Sequence, residues 1–119
     1  YWNLDGTQLM TAWIALSPST VENGCMIVLP GSHKLGLINE SSAFFTEEQC
    51  RDFEARFDSV VLEFRAGESV VLHNWLLHTS GINRSTRARR AFSVAYMDAA
   101  TRASNGREFS VVFGDGGES

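Results

Sequence analysis

The sequence predicts an all-β sandwich or barrel of jelly-roll type. Three observations point there: several apolar runs of strand length, Gly, Asn and Pro chemistry between them, and the signature of a single helix.

The run over 9–16, Leu-Met-Thr-Ala-Trp-Ile-Ala-Leu, is apolar on both faces and fits a strand covered on both sides. Ser17-Pro18-Ser19-Thr20 and then Glu22-Asn23-Gly24 make a turn, since Asn and Gly tolerate positive φ. A second apolar strand over 25–29 is halted by Pro30-Gly31-Ser32. The stretch over 33–45 has no periodicity and reads as a long loop. Thr46-Glu47-Glu48-Gln49 is a capping box with acids in its first turn, so a helix follows over 47–57. Phe53 and Phe57, four apart, would share its buried face.

Strands return over 59–64 and 69–73, on either side of the turn Ala66-Gly67-Glu68. The run Trp75-Leu76-Leu77-His78 follows, then a polar turn over 81–86 that Asn83 would shape, then a strand over 89–97. A last strand is expected over 108–113, and the Gly-rich tail over 114–119 is expected to be disordered. Trp13 and Phe92 are expected in the core. With no repeat and no linker in view, residues 1–113 read as one domain.

A length of 119 residues allows one modest core and excludes two. The net charge of −4 argues against nucleic acid or an anionic membrane surface as the main partner. No apolar run reaches the length of a membrane span. Cys25 and Cys50 sit in unlike contexts and indicate neither a disulfide scaffold nor a zinc site. The chain opens at Tyr1, in aromatic, strand-like sequence, and so reads as a piece of a longer protein. The missing signal peptide therefore says little about compartment, and the cytoplasm is the default expectation.

The chemistry concentrates in His78-Thr79-Ser80 and Arg89-Arg90-Ala91-Phe92-Ser93. A His at the rim of an apolar strand can offer a neutral imidazole nitrogen to a divalent metal. Ser80 lies two residues on and faces the same way along an extended backbone. Arg89 returns across the polar turn, and its planar fork suits the far carboxylate of a dicarboxylate ligand. The ordinary alternative is a packed or surface histidine beside a solvated turn containing Arg84, Arg87, Arg89 and Arg90. His33 either faces a substrate mouth or caps its loop. Trp2 either lines the cavity or packs, and His73 reads as structural.

The order and spacing of several motifs resemble the phytanoyl-CoA dioxygenase family. They are Thr11-Ala12-Trp13-Ile14-Ala15-Leu16, Glu22-Asn23-Gly24-Cys25-Met26, Pro30-Gly31-Ser32-His33-Lys34, Ala66-Gly67-Glu68-Ser69-Val70 and Leu76-Leu77-His78-Thr79-Ser80-Gly81-Ile82-Asn83. The resemblance implies a double-stranded β-helix (jelly roll, cupin-like) with one short helix, incomplete at its N-terminus. It also implies an enzyme that uses Fe(II), 2-oxoglutarate and O2 to hydroxylate a small organic substrate, with succinate and CO2 as co-products. On that pattern His78 is the distal iron-ligating histidine. Arg89 grips the far carboxylate of 2-oxoglutarate, with Ser80 as its hydroxyl partner. The family's His-x-Asp ligand pair precedes an aromatic pair like Tyr1-Trp2, so this fragment lacks that half of the iron site and alone is expected to be inactive. Two alternatives stay open: a catalytically inactive jelly-roll binding protein, and a halogenase in which a small residue replaces the carboxylate.

Overall fold

Alternation along the first strand sets the architecture. The computed structural model describes residues 9–39, 42 and 44–112; Tyr1, Trp2, Asp5 and the tail 114–119 lie outside them. Strand β1 (Met10–Ala15) buries Trp13 and Ala15 on one side and turns Met10 and Ile14 to the other. It is the central strand of an antiparallel sheet between β4 (Ser69–His73) and β6 (Ala91–Tyr96). A second antiparallel sheet places β2 (Met26–Val28) between β3 (Val60–Leu62) and β5 (His78–Ser80). From β3 to β6 successive strands alternate between the two sheets, as a jelly roll requires.

The core lies between the sheets. Trp13 and Ala15 from one meet Met26 and Val28 from the other, and Leu62, Phe64, Val70, Leu72 and Leu76 pack around them. The Trp13 and Phe64 rings sit 5.2 Å apart in a tilted arrangement. Strand β1 ends where the Ala66–Gly67 turn comes back to it, with the Gly67 N–H donating to the Ala15 carbonyl at 2.7 Å.

Helix α1 (Glu47–Arg56) begins as its capping box dictates. Thr46 Oγ1 accepts from the Gln49 N–H at 3.2 Å and Gln49 Oε1 accepts from the Thr46 N–H at 3.0 Å. Phe53 is buried, and its ring partner is Phe45, edge-on at 5.3 Å. Phe57 ends the helix at the C-cap, only half-buried, so the two phenylalanines do not form one common buried face.

Four other expectations are corrected. Phe92 is 56% exposed, because its register opposite Ile14 puts it on the outer face of its sheet. Residues 108–112 form no strand. The run over 75–77 lies outside the strands, because a turn follows His73 and β5 begins at His78. The loop after Pro30 opens with a 3-10 turn, Ser32–Leu35, before becoming irregular.

Candidate cofactor and metal site

Strand register decides which way His78 and Ser80 point. His78 pairs with Val28 and Ser80 with Met26, and cross-strand partners share a face. Val28 and Met26 are core residues, so His78 and Ser80 lie on the inner face, turned towards the sheet that carries Trp13. Both are exposed at the edge of that face.

After β5 the chain turns as its polar sequence suggests. Asn83 Nδ2 donates to the Arg87 carbonyl at 2.8 Å, and Asn83 Oδ1 accepts from the Ser85 N–H at 2.9 Å. The start of β6 is then tied to the end of β1. The Arg90 N–H donates to Ser17 Oγ at 2.8 Å, and the Leu16 N–H donates to the Arg90 carbonyl at 2.9 Å. Arg89 lies between these anchors and reaches back to β5. Its Nη2 donates to Ser80 Oγ at 3.1 Å, and its Cζ lies 5.9 Å from the centroid of the Trp13 ring.

The guanidinium is half-buried with a neutral hydroxyl as its hydrogen-bond partner. Among the described residues no carboxylate lies within ion-pair distance of it. Five N–H donors facing one hydroxyl leave capacity for an anion with two oxygens.

His78 presents a defined nitrogen. Its Nδ1 lies 2.9 Å from the Leu76 carbonyl oxygen, which can only accept. Nδ1 therefore carries the proton, and the Nε2 lone pair of the neutral ring is left to accept or to ligate a metal. Among the described residues, no group of three or more His, Cys, Asp or Glu side chains is arranged around a common metal position. His78 fits one coordination position, and these residues do not complete a triad.

The other sequence candidates lie elsewhere or beyond view. The His33 ring packs on the His73 ring at 5.1 Å, and His73 packs on Trp75 at 5.4 Å. His73 pairs with Met10 and so shares the outer face of its sheet, not the Trp13 face. Its Nδ1 accepts from the Trp75 N–H at 3.0 Å, and burial, then the neighbouring His33, pushes its pKa down. Trp2 lies outside the described residues. Burial pushes the Cys25 thiol up, Glu63 adds to this, and Arg89 opposes it, which keeps the thiol protonated and unreactive. Arg84, Arg87 and Arg90 are exposed on the turn. The sequence reading missed that Trp13 supplies a ring face to Arg89 and that Ser17 anchors its strand. A Trp in an apolar run reads only as core, and no local pattern links Ser17 to Arg90.

Two antiparallel sheets, with His78 and Ser80 on the inner face of one and Arg89 hydrogen-bonded to Ser80, define a jelly-roll protein. The profile of the family described as Phytanoyl-CoA dioxygenase (PhyH) matches residues 1–91. The chain belongs to the phytanoyl-CoA dioxygenase family. It is 36% identical over 86 residues to a phytanoyl-CoA dioxygenase of Arabidopsis thaliana, covering 69% of this chain and 30% of the relative. It is 32% identical over 97 residues to a peroxisomal phytanoyl-CoA dioxygenase of Bos taurus, covering 76% of this chain and 29% of the relative. The chain thus spans less than a third of the length of these relatives. Among solved structures it resembles the epimerase SnoN in complex with Fe3+, alpha ketoglutarate and nogalamycin RO. The TM-score is 0.72 at 30% identity, over 96% of this chain and 47% of that one. The fold is accordingly a double-stranded β-helix of the kind such oxygenases use. No described helix is long and apolar enough to cross a membrane.

Proposed function

We propose that this chain forms the cofactor-holding part of an Fe(II)/2-oxoglutarate-dependent dioxygenase acting on a small organic substrate. The observation that carries the reading is the 3.1 Å hydrogen bond from Arg89 Nη2 to Ser80 Oγ, on the strand face that also bears His78. A keto-diacid matches this arrangement. Its far carboxylate would take the open N–H donors of Arg89 and the hydroxyl proton of Ser80. Its other end would lie towards His78, which offers Nε2 to the metal.

When bound, iron and 2-oxoglutarate supply the O2-activating chemistry that hydroxylates a C–H bond and leaves succinate and CO2. The chain's own residues bind and orient. Arg89 fixes the cofactor's remote end, Trp13 stabilises the guanidinium through its ring face, and the Leu76 carbonyl holds His78 in the ligating tautomer. The apolar cluster of Trp13, Met26 and Val28 excludes water beneath the inner face that carries His78 and Ser80. Hydroxylation is the proposed reaction, and because one similar protein is an epimerase, the test also requires identification of a hydroxylated product.

The test follows 2-oxoglutarate binding by NMR at the Arg89 and Ser80 side chains of this chain. In the full-length protein it follows the visible charge-transfer band formed with anaerobic Fe(II). Arg89-dependent binding and a band are expected. Binding that survives Arg89→Gln, or no binding at all, would leave an inactive jelly-roll binding protein as the better account.

A further inference from the structure

We infer that Ser32 is a positioning residue for His78, acting through one peptide group 45 residues away in sequence. Ser32 is fully buried at the start of the 3-10 turn, directly after Gly31 in its left-handed conformation (φ 87°). Its Oγ accepts the Leu77 N–H at 2.9 Å. That N–H and the Leu76 carbonyl belong to the same planar peptide unit, so fixing one end fixes the other. The Leu76 carbonyl is the group that accepts from His78 Nδ1 at 2.9 Å.

The consequence is mechanical and electronic. A hydrogen bond accepted by Ser32 holds the tilt of the peptide plane, and with it the direction of the oxygen that meets the imidazole. It also polarises the amide, which makes that oxygen a better acceptor. The units on either side are braced as well. The Leu76 N–H donates to the His73 carbonyl at 3.0 Å, and the Leu77 carbonyl accepts from the Leu29 N–H at 3.0 Å. Ser32 is thus the side chain that completes a rigid backbone seat for His78. Without its hydroxyl the Leu77 N–H would be buried and unpaired, and the plane would rotate in search of a partner. The His78 ring would then relax towards the Nε2–H tautomer, which removes the Nε2 lone pair.

The significance of this seat rests on reading His78 as a metal ligand, but the tautomer is observable without metal. The experiment records imidazole 15N shifts of the chain above the titration range of the rings. The parent is expected to show a protonated Nδ1 and a bare Nε2 at His78. Ser32→Ala is expected to move His78 predominantly to the Nε2–H form. Ser32→Thr and Ser32→Val share a shape and differ by the hydroxyl, so they separate hydrogen bonding from loss of volume. Thr is expected to keep the parent pattern and Val to lose it. An unchanged tautomer in folded Ser32→Ala, or equal tautomers in the Thr and Val forms, overturns the inference. If instead the tautomer responds but 2-oxoglutarate fails to bind at Arg89, the seat stands and the dioxygenase reading fails.

Discussion

Gly24 and Gly81 cross so closely that a Cβ on Gly24 would collide with the Gly81 carbonyl oxygen and crowd the Asn83 nitrogen at 3.0 Å. Gly24 also has φ +82°, which L side chains resist. The crossing lets the Gly81 N–H reach the Cys25 carbonyl at 3.1 Å, which continues the β2–β5 ladder and fixes the register of His78 and Ser80. Gly24→Ala is expected to destabilise the chain by more than about 2 kcal/mol, combining left-handed strain with a backbone clash. Urea unfolding measures it. A midpoint equal to the parent's would mean that the crossing is slack.

The Arg89–Ser80 pair makes a graded prediction. Arg89→Gln should weaken 2-oxoglutarate binding roughly a hundredfold, for two charge-assisted bonds lost at about 1.5 kcal/mol each. Ser80→Ala should weaken it about tenfold, for one such bond. Arg89→Lys keeps the charge but not the fork, and should fall between Arg89→Gln and the parent. Calorimetric titration gives all three. A lysine variant binding as well as the parent would exclude two-pronged recognition.

His73 gives a pH dependence of known sign. Its pKa is pushed below the usual 6.5, first by burial and second by His33. The unfolded chain therefore takes up this proton more readily than the folded one. Stability from this group is full above 6.5 and is lost as pH falls through the window down to the lowered folded value. Asparagine at 73 can still accept the Trp75 N–H but does not titrate. His73→Asn should flatten the decline of the urea midpoint below pH 6.5. Identical slopes in both proteins would show that His73 contributes nothing.

Helix α1 depends on its first turn. Thr46→Ala removes the acceptor for the Gln49 N–H and should cost about 1 kcal/mol, read as a shift in the urea midpoint. Thr46→Ser keeps the acceptor and should cost much less. Equal losses in the two variants would count against the cap.

The sequence disclosed the elements whose signals are local. The capping box placed the start of α1, and the apolar run around Trp13 placed β1. Period-two alternation also put His78 and Ser80 on one face, which the β2–β5 register bears out. Features made by side-chain contacts and strand pairing stayed hidden. The turn after His73 depends on an imidazole accepting the Trp75 N–H, and no composition rule announces that. Phe92 looked like core because aromatic residues usually are, but its face follows from pairing with Ile14. The stretch over 108–112 has strand-like composition and no partner strand among the described residues.

Ser17 and Arg90, 73 residues apart, hold the backbone beside Arg89 in place. Closing a loop of that length costs more chain entropy than forming the local turn of α1. If the seat of the guanidinium forms only after the transition state, a ligand bound there acts on the unfolding rate. A bound dicarboxylate should accordingly slow unfolding while leaving the refolding rate nearly unchanged, which stopped-flow chevrons with and without 2-oxoglutarate would display.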